Sequence, residues 1–317
     1  MALALITGSS GLVGSEMSLF LINKGFDVIG IDNNERKLLF GKDGDTSRVK
    51  KRLVNFSKSY SHFDIDITNK LKLERVFKKY KNKFSFILHS AAQPSHDWAK
   101  TNIVKDFNIN AVGTLNMLEL TRIYSPKAKF IFTSTNKVYG DNPNKLKFIE
   151  LKNRWELDKS SKFYKGINED LSIDNCTHSF FGVSKSYADL LAQEYNQNFG
   201  MDVACFRAGC ITGPNHSGAE LHGFLSYLVK SCIKKKSYKL IGYKGKQVRD
   251  NIHSNDLINA FWHYYKKPVN NALFNIGGSR FSNCSILEAI NFVEKKIGIS
   301  VKKINICDLR VYFTTNL

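Results

Sequence analysis

Through the first 210 residues, short runs of β-branched and aromatic residues alternate with longer stretches whose apolar positions recur every three or four residues. The short runs Leu3–Thr7, Val28–Asp32, His62–Ile65, Phe84–His89, Lys129–Ser134 and Asp202–Arg207 predict buried strands. The longer stretches Leu12–Lys24, Lys70–Tyr80, Val104–Tyr124 and Ser179–Phe199 predict amphipathic helices. Strand–helix alternation of this kind makes a parallel sheet covered on both faces, with right-handed crossovers. After Arg207 the order breaks at Gly213-Pro-Asn-His-Ser-Gly218, and shorter elements follow. The expected architecture is an α/β, doubly wound parallel sheet over 1–207. Residues 208–317 should form a small lobe above the carboxyl edge of the sheet, with some segments returning to it.

Composition trims the possibilities. A chain of 317 residues, 43% hydrophobic, has enough material for a large core. No apolar run approaches the roughly 20 residues that span a bilayer, and the basic n-region of a signal peptide is missing before the first glycine loop. No membrane role is expected. The six cysteines form no C-x-x-C pair, which predicts free thiols in a reducing cytoplasm and no metal site. The net charge of +19 comes mostly from scattered lysines, whose densest run is Lys234–Lys236. Without interleaved aromatics or a recognised module this is a solvated surface, not a nucleic-acid footprint, and it is compatible with a small anionic substrate.

The first strand ends in Thr7-Gly8-Ser9-Ser10-Gly11-Leu12-Val13-Gly14 and a helix begins at once. Gly8 permits the tight turn, Gly11 lets backbone approach a diphosphate, and Gly14 lets helix and strand pack closely. The diphosphate of a dinucleotide then rests on the helix N-terminus, where open N–H groups favour negative charge. The second strand ends at Asp32, 18 residues past Gly14. A carboxylate there, with Asn33 beside it, accepts ribose hydroxyls and repels a 2′-phosphate, so NAD is the expected cofactor.

The G-x-x-G-x-x-G spacing resembles the extended short-chain dehydrogenase/reductases, the NAD-dependent epimerases and dehydratases. Further segments match in order: Asp66-Ile67, Ala91-Ala92-Gln93, and Asn110 within Asn108–Thr114. The resemblance implies a Rossmann domain in which these residues line the cofactor. It also implies a Ser/Thr, Tyr, Lys centre. There a lysine lowers the phenol pKa, the phenolate takes a proton from a sugar hydroxyl as hydride leaves, and the Ser/Thr hydroxyl orients that oxygen. In Ser134-Thr-Asn-Lys-Val-Tyr-Gly-Asp141 the orienting hydroxyl falls to Thr135; in Phe181-Gly-Val-Ser-Lys185 the lysine falls to Lys185. Phenylalanine stands where the tyrosine belongs, and a phenyl ring can carry no proton. Three explanations stay open: another group supplies the proton (Tyr164, taken as a candidate catalytic residue, or His178, or Lys185 itself), the chemistry tolerates a weaker base, or catalysis is lost and binding kept.

On the substrate side, the resemblance assigns Asn136, Lys137, Asn215 and Glu220 to the sugar nucleotide, and Arg249, in Gly245–Asp250, to its diphosphate. Planar guanidinium suits that clamp better than lysine. Within the family, Ser134–Asp141 together with Gly245–Asp250 is most similar to the branch that inverts C2 of a CDP-linked dideoxyhexose. A dehydratase needs an Asp-Glu pair after the orienting Thr, where this chain has Asn136-Lys137; a 4-epimerase or a non-catalytic NAD-binding regulator stays open. The insert 142–176 is expected as a lid. A homodimer or higher homo-oligomer is expected through Val104–Tyr124 and Ser179–Phe199. The stretch 307–317 matches no family segment.

Overall fold

A computed structural model describes residues 2–220 and 222–306; the segment 307–317 and Cys307 with it lie outside the described residues. Chain order begins β1 (Leu3–Thr7), α1 (Leu12–Asn23), β2 (Asp27–Ile31), α2 (Glu35–Phe40), α3 (Ser47–Phe56), β3 (Tyr60–Phe63), α4 (Lys70–Lys79) and β4 (Phe84–His89). It continues through α5 (His96–Ala99), α6 (Ile103–Phe107), α7 (Gly113–Tyr124) and β5 (Lys129–Thr135). A hairpin, β6 (Phe148–Glu150) and β7 (Trp155–Leu157), precedes α8 (Phe180–Phe199), β8 (Val203–Ala208) and β9 (Cys210–Thr212). The remainder is α9 (Phe224–Ile233), β10 (Tyr238–Ile241), β11 (Val248–Arg249), β12 (Asn251–His253), α10 (Ser254–Lys266) and β13 (Ala272–Ile276). β14 (Cys284–Ser285), α11 (Ile286–Ile297) and β15 (Lys303–Ile306) complete it.

Seven strands form one parallel sheet in the order β13-β8-β5-β4-β1-β2-β3. Strand order reverses between β1 and β4, so a crevice opens beyond their carboxyl ends, the place where ligands bind in such sheets. The central strands are buried on both faces and read as near-continuous apolar runs, β8 being buried at all six positions. One face packs Ile87, Phe130, Phe132 and Cys205 against α4, α7 and α8. The other packs Ile6, Phe86, Ile131 and Phe206 against α1 and α10, with Phe206 edge-on to Phe261 at 4.9 Å. A separate small core joins α9, α11 and β10 through Leu228, Leu240, Ile290 and Val293.

Three departures from the sequence pattern have physical reasons. Helix α3 was not expected: it buries only Leu53, so its strongly basic sequence does not stand out as a core-facing element. The helix expected over Val104–Tyr124 is broken by a π-turn at 108–112, where Asn110 bonds away from its own helix to Gln93. The insert is no lid. Its hairpin docks on the small lobe, where Trp155 N–H bonds Lys246 O at 3.0 Å and Arg154 pairs with Glu288 at 3.3 Å; none of 142–176 lines the main cavity.

Candidate active site

A cavity of about 600 Å³ runs along the carboxyl edge of the sheet, between the Gly8 loop and the small lobe. Its near end is a backbone cradle. Gly8 turns with φ +68°, and a Cβ there would meet Ala91 N at 2.8 Å. No side chain caps the N-terminus of α1, so its first amides face the cavity. The Ser10 hydroxyl is buried with no partner among the described residues. Asp32, last out of β2, accepts N–H from Ser10 (3.0 Å) and Asn34 (2.7 Å); burial raises its carboxyl above the usual range against those two bonds. Open amides and one acceptor carboxylate match a diphosphate followed by a ribose. The site fits a dinucleotide.

Most residues singled out from the sequence line this cavity: Gly8, Gly11, Leu12, Val13, Gly14, Asp32, Asn33, Asp66, Ile67, Ala91, Ala92, Thr135 and Lys185 toward the cradle. Asn136, Lys137, Asn215, Glu220 and Arg249 lie toward the lobe. Three do not. Gln93 and Asn110, expected at the cofactor, are fully buried behind the wall. There Asn110 accepts from Gln93 N (2.9 Å) and donates to Asp106 and Ser184 (3.1 and 3.2 Å). These bonds tie the loop after β4 to α6 and α8. Tyr164 faces a second, small pocket with the Arg280 guanidinium 4.1 Å from its ring, because the insert carrying it packs on the lobe. His178 is committed too, its Nε2 bonding Val138 O at 2.7 Å.

The chemistry-bearing end gathers at the tip of β5 and the start of α8. Thr135 ends β5, its hydroxyl accepting Lys137 N–H at 3.3 Å and donating to Asn136 Oδ1 at 3.3 Å. Lys185, one turn into α8, donates to Thr133 O at 2.8 Å and lies 4.2 Å over the Phe132 ring. Burial pulls its ammonium down to about 8. Phe181, four residues earlier on the same face, is buried in the cavity wall. Tyr187 points the other way, against Phe107. Beneath them a buried ion pair fixes the register: Asp189 of α8 takes Arg207 of β8 at 2.7 and 3.2 Å and Ser134 of β5 at 2.5 Å.

Sequence reasoning missed two parts. Arg36 donates to Ser217 O at 2.9 Å, reaches His222 at 3.4 Å and stacks on Phe40, closing the cavity beside Asp32. Cys210, Tyr238 and Gln247 line the lobe end. Arg36 stands four residues after Asp32 in the sequence, but its closing contact with Ser217, like that of Cys210 N–H with Asp250 O, is made only by the fold.

A family model described as the NAD dependent epimerase/dehydratase family matches residues 4–277. Over 313 residues the chain is 31% identical to the CDP-paratose 2-epimerase of Salmonella typhi, covering 95% of this chain and 86% of that protein. It is 27% identical over 302 residues to a UDP-glucuronate 4-epimerase of Thermodesulfobacterium geofontis, covering 94% and 82%. The UDP-glucose 4-epimerase of Thermus thermophilus, solved with NAD, superposes with a TM-score of 0.75 at 23% identity, covering 96% and 86%, a likeness of fold.

Proposed function

Since the chain belongs to the NAD dependent epimerase/dehydratase family, we propose that it is a CDP-paratose 2-epimerase, inverting C2 of a CDP-linked 3,6-dideoxyhexose by way of a 2-keto intermediate. It is an NAD-dependent enzyme of the sugar-nucleotide epimerase type. NAD held in this cradle would supply the hydride acceptor and donor. The chain's own residues do the rest. The Gly8–Gly14 backbone and the α1 N-terminus hold the diphosphate, and Asp32 the ribose. Thr135 orients the sugar hydroxyl, and Lys185 holds a positive charge beneath it. Arg249, half-buried in the far wall with its guanidinium shifted down by desolvation, faces the nucleotide diphosphate.

The observation that carries the choice of reaction is that Asn136-Lys137 and Arg249 face one cavity. Those positions offer no carboxylate pair for eliminating water, which leaves epimerisation. We assign cofactor holding to 1–207 with the returning 251–276, and sugar-nucleotide holding to the rest. We place the protein in the cytoplasm, a reading supported by the free thiols of Cys176, Cys205, Cys210, Cys232 and Cys284. Among the described residues no helix is long and apolar enough to cross a membrane.

The deciding experiment follows purified protein with CDP-paratose by NMR, where growth of CDP-tyvelose signals is expected. UDP-glucose and UDP-glucuronate are run beside it. Turnover of a UDP-sugar alone would make it a 4-epimerase, and NAD retained with no turnover of any sugar nucleotide would make it a regulator.

We also propose a homodimer through α6, α7 and α8. Val183, Tyr187 and Leu190 sit on one exposed face of α8, at 50, 41 and 47% exposure, beside exposed Val104 and Phe107. Such an apolar stripe is the kind a partner covers. Changing Tyr187 and Leu190 together to Glu is expected to shift sedimentation from dimer to monomer; an unchanged sedimentation coefficient would refute this interface.

A further inference from the structure

The epimerase reading leaves the sugar hydroxyl without a proton acceptor, because Phe181 stands where the family resemblance puts a tyrosine. The groups first considered as substitutes are all engaged elsewhere. Tyr164 lies over Arg280, His178 bonds Val138 O, and Lys185 donates to Thr133 O from beneath the strand. Of the other titratable groups in the cavity, the Cys210 thiol is pushed up by burial and the Tyr238 phenol is pushed up to about 12. His96 sits at the rim, half-exposed and paired with Asp97 at 3.8 Å.

Resting on that reading, we propose that Lys137 is the catalytic residue that takes the proton of the sugar hydroxyl and gives it back, in place of the missing phenol. Its backbone lies between the two positions that matter. Its N–H donates to the Thr135 hydroxyl, and its carbonyl oxygen stands 3.0 Å from where a Cβ on Gly182, next to Phe181, would be. Its side chain lines the cavity, and its ammonium has no hydrogen-bond or carboxylate partner among the described residues. The charged or titratable groups that face it are Arg249 of β11 and Cys210 of β9. Burial first, then Arg249, lower its pKa to about 8, against an opposing pull from Cys210. An ordinary lysine, near 10.5, holds almost no free amine at neutral pH. This one holds an appreciable fraction, which suits proton transfer in either direction.

The balance is simple. In the forward half, the hydroxyl O–H proton passes to the Lys137 amine and the C–H hydrogen leaves with its electron pair to NAD; the alcohol becomes a ketone and the amine an ammonium. In the return half, the hydride comes back to the other face of the carbonyl carbon, and the ammonium releases its proton to the oxygen. Phe181 then becomes a wall, keeping water from the ketone while the amine works beside it.

Two measurements test this. Without substrate, competitive labelling with trace acetic anhydride across pH 6–11 should give Lys137 an apparent pKa near 8, well below that of the exposed surface lysines. A value near 10.5 would overturn the proposal. With CDP-paratose, Lys137→Met should lower kcat about 100-fold or more with a smaller change in KM. The wild-type limb, in which kcat rises with pH through about 8 as the amine is freed, should vanish. Adding Phe181→Tyr to Lys137→Met should recover activity, which a merely structural role for Lys137 would not allow. Wild-type kcat and pH profile in Lys137→Met would overturn the proposal while leaving the epimerase reading in place. No turnover of any sugar nucleotide by the wild-type protein would overturn that reading and the proposal with it.

Discussion

Gly14→Val is expected to yield a protein that no longer carries NAD through purification. A Cβ on Gly14 would lie 2.2 Å from the carbonyl oxygen of Gly8, 2.7 Å from its carbon and 2.8 Å from Ser9 Cα. All three are backbone atoms, so no side chain can swing aside, and α1 must move away from the loop it caps. The amides of Leu12 and Val13 and the turn at Gly8 then no longer converge on one diphosphate. A loss of about 100-fold or more in cofactor affinity follows, roughly 2.8 kcal/mol. Nucleotide released from denatured protein gives the direct measurement, with circular dichroism to show that the sheet persists. Gly11→Ala is the contrast: its Cβ would meet only Gly8 O, at 3.2 Å, and its φ is −75°. A milder loss is expected there. Full NAD content in Gly14→Val would refute the cradle.

The second large effect lies under the site. Asp189→Ala should destabilise the protein by about 3–5 kcal/mol, because it strands the Arg207 guanidinium in the core. Their side chains are 1% and 4% exposed, and among the described residues the remaining partner of the Arg207 guanidinium is Tyr139, whose hydroxyl accepts at 2.8 Å. Denaturant unfolding measures the loss. The cost is that of an unpaired buried charge, so Asp189→Leu with Arg207→Met should recover most of the stability, the two changes being strongly non-additive. Catalysis should not return with stability. Asp189 also accepts from Ser134 and sits one turn beyond Lys185, so it sets the height of α8 against the tip of β5. A stable double variant with full turnover would show that this pair has no positioning role.

Local pattern was enough to specify the middle of the sheet and the cofactor crevice; the edge strand β13 was not foreseen, and β3 begins two residues before the expected His62–Ile65. Strands β1, β2, β4, β5 and β8 and helices α1, α4 and α8 fall within about a residue of their apolar runs, since burial on both faces leaves a strong local signal. The Gly8–Gly14 loop and Asp32 were equally legible, because tight turns and close backbone approaches demand glycine at fixed offsets. The π-turn at Asn110, the burial of Gln93, the docking of the insert and the removal of Tyr164 to a second pocket were not. Each depends on a hydrogen bond or stack to a residue outside its own stretch: Ser184 for Asn110, Asp106 for Gln93, Glu288 for the insert and Arg280 for Tyr164. The same holds for Lys137. The sequence marked it as a substrate contact beside Thr135. Only the folded cavity, with Arg249 brought across from β11, depresses its basicity, for desolvation and through-space charge belong to the tertiary arrangement and leave no trace in local pattern.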